Sequence, residues 1–185
     1  MRKMIAGLFM SLDGVADAPD GWQFPYLDAD VMASITSSMA QTDALLFGRR
    51  TYDEFATRWP DQRGNRSAEF FNDTQKYVVT SKAAGLDWGP VTQLNGDLAA
   101  ELATLKAKPG KDILIQGSTA LVRSLLRDGL LDELSLLIIP ILAGVGLRLF
   151  DDNARVELIL TESTVFDNGV VKVTYRPASA PHGER

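Results

Sequence analysis

Three features of the sequence predict an α/β fold with a mixed, mostly parallel central sheet, helices on both faces and a C-terminal antiparallel hairpin. Apolar runs of strand length alternate with segments of helical periodicity. Two of these alternations read as strand-turn-helix units, the arrangement that gives parallel neighbours through right-handed crossovers. The chain then ends in two strand-like runs joined by Asp167-Asn168-Gly169, so its last pairing is antiparallel.

Lys3–Met10 is a near-continuous apolar run, as expected of a central strand covered on both faces. Its basic start has the look of a signal peptide, but Ser11 and Asp13 interrupt the apolar stretch, which therefore reads as the first strand. Ser11–Tyr26 holds Gly14, Pro19, Gly21 and Pro25 and must be a long loop, carrying Trp22, Phe24 and Tyr26. From Leu27 to Met39 the apolar residues Leu27, Val31, Ile35 and Met39 recur every fourth position, marking one face of a helix with Asp28 and Asp30 in its first turn. Ala44–Phe47 is a second strand closed by Gly48, and Arg49–Trp59 has helix-forming composition.

Pro60–Asn65 is a polar connection to a short helical piece, followed by the strand Lys76–Thr80 and a shorter one at Val91–Leu94. Leu98, Leu102 and Leu105 form a helical stripe that Pro109-Gly110 ends. Asp112–Gln116 is a buried-type strand, Gly117 its turn, and Ser118 or Thr119 the cap of a helix whose inner face is Leu121, Val122, Leu125 and Leu126. Leu134–Ile139 is the most apolar strand and stops at Pro140. Ala143–Gly146 follows as a glycine loop, read either as a mobile turn or as a ligand loop. The final strands are Val156–Phe166 and Val170–Arg176, with a type I′ turn expected between them. Residues 1–177 thus read as one domain and 178–185 as a disordered tail.

Composition removes whole classes of chemistry. With no cysteine, and His182 in the tail as the only histidine, disulfides, thiolate nucleophiles, cysteine-based zinc sites and a Ser-His-Asp triad are excluded. A net charge of −5 argues against non-specific nucleic-acid binding, and no apolar run reaches membrane-spanning length. A soluble cytoplasmic protein acting on a small molecule is expected, with no metal, nucleic-acid or membrane partner.

In open α/β sheets, ligands bind beyond the carboxyl ends of the strands. Three such ends share a polar signature: Gly48-Arg49-Arg50-Thr51, Thr80-Ser81-Lys82 and Gln116-Gly117-Ser118-Thr119-Ala120. Backbone amides at two helix starts favour anions, and the cations Arg49, Arg50 and Lys82 suit a phosphorylated nucleotide. Each segment alone could equally be a solvated turn. A phosphate-binding Walker loop and the strict Rossmann glycine fingerprint are both missing.

The ordered set MIAGLFMSLDGVAD, LLFGRRTYDEF, KYVVTSK, ILIQGSTALVRSLLRDGLLDEL, LLIIPILAGVGLRLF and VKVTYRP resembles the dihydrofolate-reductase-like superfamily. It is most similar to the reductase domain of bacterial riboflavin-biosynthesis proteins, the RibD C-terminal type, here as a stand-alone member. The resemblance covers Lys3 to Pro177 and implies a dihydrofolate-reductase-like three-layer fold with NADPH as cofactor. It also implies the backbone near Ala6 and Val15 facing the nicotinamide, Gly48, Arg49, Arg50 and Thr51 on the phosphates, Thr80, Ser81 and Lys82 near the 2′-phosphate, and Gly117–Ala120 by the pyrophosphate. Ser118 stands where that family usually has a second glycine, so its side chain must point away from the cofactor or bond to it.

The resemblance implies reduction of 5-amino-6-(5-phosphoribosylamino)uracil, with hydride delivered to the ring-opened ribose carbon. Val15 stands where riboflavin reductases often have Lys or Arg. Candidate proton-handling residues are Asp13, in the Ser-Leu-Asp-Gly loop, and Asp28 or Asp30 on the first helix. Asp13 could instead make an Asx-type turn, and the helix carboxylates could serve the helix dipole. Trp22, Phe24 and Tyr26 either wall a planar heterocycle or close the core. Two other readings stay open: reduction of a different pteridine-like or carbonyl compound, and a nucleotide-binding module without catalysis. A homodimer through Leu134–Ile139 and the hairpin is also expected.

Overall fold

A computed structural model describes residues 1–16, 21–150 and 155–178. In chain order the elements are β1 (Met4–Ser11), α1 (Ala29–Ala40), β2 (Thr42–Gly48), α2 (Arg49–Arg58), α3 (Arg66–Asp73), β3 (Gln75–Val79) and β4 (Val91–Leu94). They continue with α4 (Leu98–Ala107), β5 (Asp112–Ile115), α5 (Thr119–Arg127), β6 (Glu133–Ile139), β7 (Leu158–Val165) and β8 (Val171–Pro177). The eight strands form one sheet in the order β4-β3-β2-β5-β1-β6-β8-β7. Every pair from β4 to β6 is parallel, and β8 is antiparallel to both β6 and β7.

Side chains alternate across a strand, and the two faces of this sheet are packed differently. On one face Met4, Ala6, Ala44, Leu46, Ile113, Ile115, Leu134 and Leu136 meet Leu102 and Leu105 of α4 and Leu121, Val122, Leu125 and Leu126 of α5 in one continuous core. The opposite face carries two separate clusters. Leu45, Phe47, Val78 and Leu114 pack with Tyr52 of α2 and Phe71 of α3, whereas Ile139 and Val170 pack with Val31 of α1. The sheet between those clusters lies under no helix core.

Four helices carry a side-chain N-cap, and at α5 it is Ser118, one of the two residues expected there. Asp28 accepts from the amides of Asp30 and Val31, Asn65 from Ala68, Asp97 from Ala100 and Ser118 from Leu121. Two expectations need correction. Among the described residues only glycines have positive φ, so Asn168 cannot take the left-handed conformation that a type I′ turn requires. The hairpin instead closes through a three-residue loop with Gly169 at φ 85°, the Phe166 carbonyl accepting from Gly169 N and the Phe166 amide donating to Val170 O. The strand at Leu134–Ile139 is not an edge available to a second copy, because β6 is paired on both sides by β1 and β8. The sheet edge on that side is β7, beyond β8, where Ile159, Leu160 and Val165 face solvent.

Candidate functional site

The uncovered part of the sheet is the floor of a cleft of about 730 Å³. Floor residues come from alternate positions on neighbouring strands: Ile5, Gly7 and Phe9 of β1, Leu114 of β5, Ser135 and Leu137 of β6, and Lys172 of β8. At its centre Gly7 pairs with Ser135, so the two smallest side chains of the row lie side by side. A side chain on Gly7 would meet Leu114 Cδ1 at 3.1 Å. Residues of α1 (Met32, Ser34, Ile35) form one wall, and α2 (Arg50, Thr51, Glu54, Phe55, Arg58) the other.

One end of the cleft is the carboxyl edge of the parallel strands. Adjacent order in the sheet puts the ends of β3, β2 and β5 next to one another, so Thr80–Lys82, Gly48–Thr51 and Gly117–Ala120 share one edge. Contacts bind the junctions together. Gly48 N donates to the Gly117 carbonyl at 3.1 Å. Gly117, at φ 126° and joined to Ser118 by a cis peptide bond, approaches Thr51 so closely that a Cβ there would lie 3.0 Å from Thr51 Oγ1. The Ser118 side chain caps α5 and lies against Gly48, which fixes the direction left open by the sequence.

The cations divide between two places. The Arg49 guanidinium chelates Asp53 through Nε at 2.9 and 3.0 Å, and its Nη1 donates to the Lys82 carbonyl at 3.0 Å, so it belongs with the loop after β3. Arg50 lines the cleft and pairs with Glu54 at 2.9 Å. Beyond Thr80 and Ser81 lies a smaller pocket of about 190 Å³ between β3, β4 and α4, edged by Asn95, Gly96 and Glu101. Among the described residues Glu101 Oε2, buried there, has no hydrogen-bond partner; Gln23 Oε1 and Trp59 Nε1 likewise have none, and both residues line the large cleft. Such buried polar atoms are costly unless something satisfies them.

Several sequence-predicted residues sit elsewhere. The Ala6 side chain is fully buried on the α4/α5 face, and Ile5 and Gly7 on either side of it line the cleft, so at Ala6 only the backbone is left to face it. Val15 is fully buried in a bridge to Arg148, whereas Ala16 reaches the cleft. Asp28 is a cap that also accepts from Asn168, and Asp30 is exposed; neither lines the cleft. Of the three aromatics, Trp22 and Tyr26 pack with Val31 in the core under the loop. Phe24 alone lines the cleft, with Arg58 stacked 5.0 Å from its ring centroid. Lys172, Ser34 and Ser135 were missed, although a serine and a lysine at alternating positions of apolar strands signal a face that is not packed.

Asp13 is occupied by structure. Its carboxylate accepts from the Ser11 hydroxyl at 2.6 Å and from the amides of Ala143 and Gly144 at 3.0 and 2.9 Å, tying the loop after β1 to the glycine loop after β6. Arg148 completes this network, donating to the Asp13 carbonyl. The Ser11 hydroxyl first, and then the two amides, hold the carboxyl down at about 2. A depressed folded-state pKa contributes stability above the ordinary carboxylate value, and that contribution disappears as pH falls from about 3.8 towards about 2. Asp13→Asn is therefore expected to lower Tm near neutral pH, the gap to wild type closing through that acid window. Thermal unfolding from pH 6 to 2.5 reads it, and a gap constant with pH contradicts the assignment.

Comparison with known proteins places this geometry. The family model of the RibD C-terminal domain matches residues 2–172. The uncharacterized protein YyaP of Bacillus subtilis is 28% identical over 179 residues, covering 94% of each chain. A putative riboflavin biosynthesis protein from Shewanella superposes with a TM-score of 0.72 at 23% identity, covering 96% of this chain and 99% of that one. Dihydrofolate reductase from Enterococcus faecalis, complexed with NADP(H), superposes with a TM-score of 0.64 at 16% identity, covering 96% and 97%. The fold is thus the dihydrofolate-reductase-like one.

Proposed function

The chain belongs to the RibD C-terminal domain family, and on that premise we propose that it is an NADPH-dependent reductase of a small heterocyclic substrate. The observation that carries the proposal is the convergence of three strand ends on one edge beside a deep cleft. The residues there fit the cofactor. Gly48 and Gly117 let the two junctions close on each other, since a Cβ at either would strike Ser118 or Thr51, two helix N-termini offer amides to a pyrophosphate at about 0.3–1 kcal/mol each, and Arg50 and Thr51 flank it. Arg49, Ser81 and Lys82 would hold a 2′-phosphate. In the adjoining pocket the orphaned Glu101 carboxylate oxygen would accept from an adenine amino group.

When bound, the dihydronicotinamide supplies the hydride. The protein's own part is placement. The low centre of the floor at Gly7 and Ser135 admits a flat ring, while Phe9, Ile35 and Leu137 exclude water from the reacting end. Among the described residues no α1 carboxylate lines the cleft, which favours a substrate other than a pterin, whose amidine-like edge would need one. Reduction of a ribosylamino-pyrimidine fits that preference. The exposed β7 edge is where a second copy would extend the sheet into a homodimer.

Calorimetric titration tests the reading directly. NADPH is expected to bind at least about a hundredfold more tightly than NADH, two charge-assisted contacts being worth roughly 1.5–3 kcal/mol each. Equal affinities, or no binding of either, would overturn it.

A further inference from the structure

On the β8 side of the cleft, across β1 and β6 from the phosphate-binding junctions, stands a cation without a counterion among the described residues. Lys172 projects from β8 into the cleft on the face shared by Phe9 and Leu137, which precede it along one cross-strand row. Its Nζ donates to Ser34 Oγ of α1 at 3.2 Å, and the side chain is only partly exposed. No other hydrogen bond or ion pair engages that ammonium among the described residues. Ser135 Oγ, on the same floor, accepts weakly from Thr174 Oγ1 at 3.5 Å and keeps its own proton to donate. The cleft's only carboxylate among described residues, Glu54, is on the α2 wall and is engaged by Arg50.

A half-desolvated ammonium between apolar walls is costly unless an anion pairs with it. A neutral hydroxyl does not supply that charge. We propose that Lys172, with Ser34 and Ser135, is the recognition site for an oxyanion of the substrate, a carboxylate or a phosphate monoester. This deepens the reductase reading and rests on it, since the site lies in the same cleft beyond the cofactor end. It also specifies exclusion: a cationic amidine or guanidine edge would face Lys172 and be rejected.

The test uses small aromatic probes on the full chain saturated with NADPH, followed by tryptophan fluorescence or by NMR. Benzoate and phenyl phosphate carry the oxyanion, benzamide is its neutral isostere, and benzamidine carries the opposite charge. Wild type is expected to bind the better oxyanion at least about tenfold more tightly than benzamide or benzamidine, and which of the two anions wins identifies the substrate's group. Lys172→Met should abolish the preference and Lys172→Arg keep it, with NADPH affinity unchanged in both. Benzamidine binding as well as the anions in wild type would overturn the proposal without any variant, as would a preference that survives Lys172→Met in a folded protein. A chain that binds no NADPH contradicts the reductase reading instead, and the same probes run on the cofactor-free protein then decide the lysine site separately.

Discussion

Replacing Arg49 and Lys82 together by alanine is expected to abolish the preference for NADPH over NADH, weakening NADPH about a hundredfold or more while leaving NADH nearly unchanged. The two cofactors differ by one phosphate, so only contacts to that group can discriminate them. Arg49 is placed for this task by its own neighbours: Asp53 holds Nε from one turn along α2, and the Lys82 carbonyl holds Nη1, so the guanidinium is fixed before any ligand arrives. Little side-chain entropy remains to be lost on binding. Two charge-assisted contacts at roughly 1.5–3 kcal/mol each exceed the hundredfold threshold, even with solvent screening taken from the upper end. The carbonyl contact to Lys82 also steadies the loop after β3, and a loss of that support alone would weaken both cofactors alike. Parallel titrations with NADPH and NADH therefore separate the roles: equal losses mean that Arg49 is a brace and not a phosphate ligand.

The fold was legible because its pattern is local. Apolar runs at Lys3–Met10 and Leu134–Ile139, glycine punctuation and the capping residues each report on a few consecutive positions. The convergence of the three strand ends followed from a general property of parallel sheets, and residues Gly48, Thr51, Gly117 and Ser118 do meet. The β8 side of the cleft was illegible for the converse reason. Ser34, Ser135 and Lys172 come from three elements, and only the register Leu137 opposite Lys172, with α1 laid across it, assembles them. Asp13 stayed ambiguous because a carboxylate in a loop at a ligand-facing strand end looks the same in sequence whether it meets substrate or backbone amides. Nothing in the chain shows that Ala143 and Gly144, some 130 residues away, will fill it. Likewise Trp22 and Tyr26 share a loop with Phe24, yet only the path of the backbone decides which ring turns outward.

Gly48→Ala is expected to weaken NADPH and NADH alike by more than about tenfold, in contrast to the selective loss above, with only a modest fall in Tm. Backbone conformation gives no reason for glycine here, since Gly48 sits at φ −75° and ψ 155°, where alanine is comfortable. The reason is contact. A Cβ at Gly48 would lie 2.7 Å from Ser118 Oγ and 3.3 Å from both Ser118 Cβ and Ser118 N. Rotating the hydroxyl away would sacrifice its cap on Leu121 N, a loss of about 1 kcal/mol, and would not relieve the Cβ and amide contacts. The remaining escape is separation of the β2-α2 and β5-α5 junctions by a few tenths of an ångström, which spreads the two helix N-termini that under the proposed function close on one pyrophosphate. Because those amides act through distance and direction, binding should suffer more than folding. Adding Ser118→Gly removes the hydroxyl and the Cβ, so the double variant should recover most of the lost affinity for both cofactors despite the missing cap. Cofactor titration across the four-member cycle measures this coupling, and simple additivity of the two substitutions would show that the junctions do not act as one cradle.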